Sequence, residues 1–193
     1  MGSSPKAALF LAAFLAWAPV LAAEVAGVKF EESTRMAGAE LKLNGAGLRT
    51  RAFFKVYAMG LYLPEKQSTG AAVLAAPGAK RIQLRMLRDV NADDFAKALE
   101  DGMNDNNSEA DMKALAPRVA LLNGLMLEIK EAKTGLVIEL DWLPGAGTQV
   151  TVGGQARGKP IAGEDFYRAL LRIWLGEKAI SGDLKKSLLG QGG

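Results

Sequence analysis

Two spacings of apolar residues run along the chain, one every second position and one every third or fourth, and they separate strands from helices. Arg51 to Leu63 is the clearest strand, rich in Phe, Val and Tyr and stopped by Pro64. Arg81 to Leu87 sets Arg81, Gln83 and Arg85 against Ile82, Leu84 and Met86, the pattern of a half-buried strand. Val25 to Leu43 reads as one or two short strands broken at Gly27 and Gly38. Leu43-Asn-Gly-Ala-Gly47 carries the residues of a turn, and Ala71 to Gly78 reads as a loop with room for one helical turn. Three more strands are predicted late in the chain: Thr134–Leu143, Thr148–Val152 and Gln155–Ile161. They are joined by turns at Pro144–Gly147 and Gly153-Gly154.

Helical spacing fills the gaps between these strands. Asn91 is a good N-cap, and Asp93 and Asp94 stand in the first turn, where the helix dipole favours negative charge. Phe95, Leu99, Gly102 and Met103 then form one stripe, which ends in Asn104–Asn107. A second helix starts at Ser108 and Glu109 with Met112, Leu115, Val119 and Leu122 on one face. Pro117 is expected to kink or restart it, and Asn123-Gly124 to stop it. Two more helices close the chain. Gly163–Leu175 has a stripe of Phe166, Leu170, Ile173 and Trp174, and a short helix after Ser181 turns Leu184, Leu188 and Leu189 inward. Hairpin-joined strands and helices in runs predict an α+β fold with a mostly antiparallel sheet covered by helices.

The first residues change the picture of where the domain begins. Lys6 is the only charge before Glu24, and an apolar run from Ala7 to Val20 leads to Leu21-Ala22-Ala23. That is the three-part layout of a secretory signal. The run is shorter than the roughly 20 residues that span a bilayer. Residues 1–23 are therefore expected to be a signal peptide cut after Ala22 or Ala23. Residues 24–193 are expected to form one periplasmic or secreted domain, with no stable membrane anchor once cut. A formal charge of +3, which includes Lys6, is too weak to point to nucleic acid.

Composition prunes the chemistry. The chain has no histidine and no cysteine. Histidine triads, thiol nucleophiles and His- or Cys-ligated zinc are therefore excluded. Asp89, Asp93, Asp94 and Asp105 are wrongly spaced for a metal cluster, and no metal or other cofactor is expected. The glycine-rich stretches lack the Lys-Ser/Thr of a phosphate loop. What remains is the strand Arg51–Leu63. Its odd face runs from Arg51 and Lys55 past Tyr57 to Met59, Leu61 and Leu63, and Arg49 stands just before it. Cations and a phenol at one end and aliphatics at the other suit a carboxylate with a greasy tail. The same pattern also describes a strand whose basic end reaches solvent while the rest enters the core.

Gly45-Ala-Gly-Leu-Arg49, the strand Phe53-Phe-Lys-Val-Tyr-Ala-Met-Gly-Leu-Tyr-Leu63 with Glu65 soon after, Asp94-Phe-Ala-Lys-Ala-Leu99 and Gly176-Glu-Lys-Ala-Ile-Ser181 together resemble the chalcone isomerase-like family. The resemblance implies an open-faced β-sandwich, a large antiparallel sheet with a layer of helices. It also implies a choice of function. Enzymes of the family close chalcones with an arginine, a strand threonine, a helix tyrosine and asparagine, and a C-terminal hydroxyl, whereas relatives that bind fatty acids keep the arginine and use a tyrosine to hold a carboxylate. Here the arginine matches Arg49, the threonine falls on Tyr57, the helix positions fall near Phe95 and Gly102, and the hydroxyl falls near Leu184.

The sequence thus points to an exported, non-catalytic domain that holds a fatty acid or similar small amphipathic acid, with Arg49, Tyr57, Lys55 and Phe95 as ligand-binding candidates. Two alternatives stand beside it: an intramolecular lyase or isomerase of chalcone type, and an exported structural or partner-binding domain without a ligand. No protein partner can be named from the sequence.

Overall fold

A computed structural model describes residues 21–192. The expected signal segment lies outside the described residues up to position 20. The chain opens with β1 (Leu21–Val25) and β2 (Val28–Glu31), which pair as a hairpin. β3 (Ser33–Met36), β4 (Ala39–Arg51) and β5 (Phe54–Leu63) follow, then α1 (Gly70–Ala75) and β6 (Lys80–Met86). A short β7 (Val90–Asn91) leads into α2 (Ala92–Asn106) and α3 (Glu109–Leu127), and β8 (Glu131–Ala132) pairs back with β7. β9 (Val137–Leu143), β10 (Gly147–Val152) and β11 (Gln155–Ile161) come next, before α4 (Glu164–Leu175) and α5 (Gly182–Leu188). Seven of the strands make one antiparallel sheet in the order β11-β10-β9-β6-β5-β4-β3. This is the expected α+β arrangement.

The alternation of β5 decides what each face of the sheet meets. Tyr57, Met59, Leu61 and Leu63 enter the main core with the helices. Ala58 and Tyr62 belong instead to a smaller core with Val28, Phe30, Met36, Leu41 and Leu43. The β1–β2 hairpin lies over this second face. A Cβ on Gly60 would stand 2.7 Å from the Phe30 ring, so only glycine lets that ring rest on the strand.

The structure corrects four local expectations. Val25–Leu43 contributes to four strands rather than one or two. Ala26-Gly27 and Ala37-Gly38 both take positive φ (51° and 83°, 49° and 80°), the form of tight two-residue hairpin turns. Leu43–Gly47 is not a turn but the middle of β4, interrupted by a bulge between Leu43 and Gly45. Its glycines serve close approach: a Cβ on Gly45 would lie 2.2 Å from the Ser187 carbonyl oxygen, and one on Gly47 2.9 Å from Leu184 Cδ1. The strand beginning at Arg51 is divided, because Arg51 ends β4, Ala52-Phe53 turns, and β5 starts at Phe54. Finally, α3 runs unbroken through Pro117 and past Gly124 to Leu127, and the Gly124 carbonyl accepts from Glu128 N at 3.2 Å.

Other local expectations hold. The Asn91 side chain accepts from Asp93 N at 2.8 Å, capping α2, and Ser108 and Ser181 cap α3 and α5 in the same way. The stripes Phe95-Leu99-Met103 and Phe166-Leu170-Ile173-Trp174 are buried in the main core. Phe95 and Leu99 of the first stripe and Ile173 and Trp174 of the second border the C-terminal end of β4 and the start of β5, where the candidate residues lie.

Candidate functional site

Where β4 ends and β5 begins, the sheet, α2 and α4 border a cavity of about 290 Å³. The sheet contributes Arg49, Arg51, Val56 and Tyr57, and α2 and α4 contribute Phe95, Leu99, Gly102, Ile173 and Trp174. Three of the sequence candidates, Arg49, Tyr57 and Phe95, are therefore brought together in one place. Lys55 is not: it is exposed beyond the cavity, beside the turn that joins the strands.

Antiparallel pairing places Arg49 directly across from Tyr57. Tyr57 is 6% exposed, and its hydroxyl accepts from Trp174 Nε1 at 2.9 Å. Burial is the chief cause that pushes this phenol up to about 12. The indole bond and the nearby Arg49 charge pull weakly the other way. Tyr57 is thus a neutral donor throughout the physiological range. Among the described residues its hydroxyl accepts one bond and donates none. Arg49 donates to the Thr50 carbonyl and, among the described residues, takes part in no salt bridge. One wall of the cavity therefore offers an available phenolic proton and an unpaired guanidinium.

The opposite wall has different chemistry. Phe95 has no hydroxyl, and Gly102 has no side chain. A Cβ on Gly102 would stand 2.9 Å from Ile173 Cγ2, so the glycine sets how closely α2 and α4 pack. Leu184 does not line the cavity; it packs against β4 at Gly47. Asp94, Asp101 and Asp105 bring negative charge to the α2 edge, with Asp101 tied to Lys97 at 3.0 Å. Arg49, Arg51 and Lys178 line the same cavity as cations, so charges of both signs border it.

A profile of the chalcone isomerase-like family matches residues 22–190. The chain belongs to the chalcone isomerase-like family. Among solved structures, this family member is similar to an Arabidopsis thaliana fatty-acid binding protein. The TM-score is 0.67 at 18% identity, over 84% of this chain and 92% of that one. At that identity the likeness speaks for the fold alone. A search of curated proteins gave no match.

Sequence reasoning took Trp174 for a core or boundary aromatic that could also touch a ligand, and did not foresee its bond to Tyr57. The residue does lie on a buried stripe, but its indole N–H is what holds the Tyr57 hydroxyl. Ile173 and Ile180, which add apolar lining, were also absent from the candidates. The helical stripe marks Ile173 and Trp174 as buried, but nothing local ties them to the site, since Trp174 and Tyr57 are 117 positions apart.

Proposed function

We propose that this family member is a non-catalytic carrier that binds a small amphipathic carboxylate between sheet and helices. The observation that carries the reading is the Tyr57 hydroxyl, buried in a cavity with its proton unengaged and Arg49 across the strand pair. The carboxylate accepts from Tyr57 and pairs with Arg49, charge-assisted bonds of the stronger kind. Its tail lies against Val56, Phe95, Leu99 and Ile173. Ligand pockets commonly span roughly 300–1,000 Å³. A cavity of about 290 Å³ favours a short or medium chain over a long one unless α2 moves outward. The fatty-acid binding function named for the Arabidopsis structure agrees with this class of ligand. Ring closure of chalcone type is less well supported, because Phe95 and Gly102 leave the helix wall without a donor for developing oxyanion charge.

The test is mass spectrometry of small molecules that co-purify with the protein under native conditions. A stoichiometric carboxylic acid, lost in Arg49→Ala, is expected. An empty protein that also takes up no added fatty acid would overturn the reading.

We also propose export, with residues 1–23 removed as a signal peptide. The cut would shorten β1 but leave Glu24↔Lys29 and Val25↔Val28 to hold the hairpin. N-terminal sequencing of the exported protein should begin at Ala23 or Glu24; an intact Met1 on protein outside the cytoplasm would refute it.

A further inference from the structure

Away from the cavity, the most unusual surface is the turn between β4 and β5. Phe53 is 97% exposed and its neighbour Phe54 is 59% exposed. The other large apolar side chains in this condition among the described residues are Leu121 and Leu127, far along α3. Phe53 at the tip of this hairpin is almost wholly bare, and Phe54 beside it is only partly covered. Ala52 at φ 52° turns the chain there and leaves Phe53 as the outermost side chain.

Positive charge stands directly behind the rings. From Leu41 to Pro64 there is no acidic residue, while Lys42, Arg49, Arg51 and Lys55 supply cations. Arg51 and Lys55 flank the turn and are exposed. Arg88, from the loop after β6, lies with its guanidinium 4.6 Å from the centre of the Phe54 ring. The acid beside it, Asp89, is engaged by Lys133 and by the Thr134 backbone and hydroxyl.

We propose that this tip docks on an anionic phospholipid bilayer. Phe53 and Phe54 enter the boundary between headgroups and acyl chains, and Arg51, Lys55 and Arg88 meet the phosphates. The layering argues for a bilayer rather than an acidic protein. The apolar groups are outermost on a convex point and the cations are set back from them, the order in which a bilayer presents acyl chain and headgroup. A protein partner would instead be met by a flatter patch with an apolar centre and a charged rim. Position adds a second argument. Arg49, Arg51, Val56 and Tyr57 belong to the same hairpin, so docking by its tip sets the cavity beside the lipid. Docking stands without any particular ligand; that it serves to exchange a carboxylate with the bilayer rests on the carrier reading above.

The experiment is vesicle flotation with the full protein, using vesicles of phosphatidylcholine alone and of phosphatidylcholine mixed with phosphatidylglycerol. Binding to the mixed vesicles and little to the neutral ones is expected, weakening as salt rises. Phe53→Ser with Phe54→Ser should lower binding by at least about tenfold. Lys55→Ala should lower it roughly fivefold. These side chains lie outside the cavity and are exposed, so the variants should fold and hold any co-purifying acid like the parent. Failure to float with the mixed vesicles, equal binding to both kinds, or full binding by the double variant would each overturn the proposal. Vesicle-free ligand analysis separates the two claims. A protein that floats but neither carries an acid nor takes up added fatty acid keeps the docking and loses the carrier reading; one that carries acid and ignores vesicles does the reverse.

Discussion

At each end of helix α4 a buried tyrosine joins helix and sheet, Tyr167 from the helix and Tyr57 from the sheet, and the fate of its proton differs. Near the start, Tyr167 is fully buried, and its hydroxyl proton is shared between the carbonyls of Leu140 at 3.0 Å and Lys80 at 3.3 Å. Near the finish, Trp174 donates to Tyr57, whose own proton finds no acceptor among the described residues. Burial raises the phenol pKa in both. The first fastens helix to sheet. The second borders a cavity and has a bond still to give. Burial and a perturbed pKa alone would have marked both as sites; the hydrogen-bond partners tell them apart.

The comparison can be broken most severely at Trp174. Trp174→Ala removes a side chain that is 1% exposed, and should destabilise the fold by about 3–5 kcal/mol, read by chemical denaturation. Loss of less than about 1 kcal/mol would mean that this end of α4 is not packed as described. Tyr57→Phe is next. It should weaken carboxylate binding by roughly 1.5–3 kcal/mol, about ten- to hundredfold, as titration calorimetry would show. It should also lower stability, because the indole N–H loses its acceptor. Tyr167→Phe should do the opposite: a stability loss of about 1 kcal/mol with ligand affinity unmoved. Equal effects of the two substitutions on affinity would erase the distinction.

The smallest effect is expected in pH. The folded-state value of Tyr57 is raised from 10.0 to about 12, so the stability it lends is complete below 10 and is lost as pH climbs toward 12. Tyr62, raised to about 12 chiefly by burial and secondly by the nearby Glu31 charge, adds to the same alkaline window. Ligand affinity should therefore be flat between about pH 6 and 9, while denaturation midpoints fall only above 10. An affinity step near neutrality would show that some other group holds the ligand.

Much of the fold was legible because its signals are local. The alternation in β5 assigned the residues from Tyr57 to Leu63 to their faces, although Val56 at its start joins the Tyr57 side, and the caps Asn91, Ser108 and Ser181 marked helix starts. Glycine misled where its cause is distant. Gly45 and Gly47 look like turn residues beside Asn44, yet they are small because α5 presses on β4. Gly124 looks like a helix stop but continues α3. The site was half legible. Arg49 and Tyr57 were named together from their nearness in the chain and the family resemblance, without the hairpin that sets them face to face, and Phe95 lies on a readable stripe. Lys55 shares the parity of Tyr57 but sits at the turn, where the β4–β5 ladder shifts register between Arg49 and Thr50. Trp174 could be placed only by tertiary packing.

The seam between β4 and α5 also bears on when the chain can finish folding. The Asn44 amide donates to the Leu188 carbonyl at 2.7 Å across 144 residues, and Gly45 abuts the Ser187 carbonyl beside it. Closing so long a loop carries an entropic cost that must be met before the contact is rewarded, so contacts of this span form late. Until α5 has been synthesised, the glycine row of β4 has nothing to lie against it. A nascent chain therefore comes to the end of translation before β4 can gain this latch.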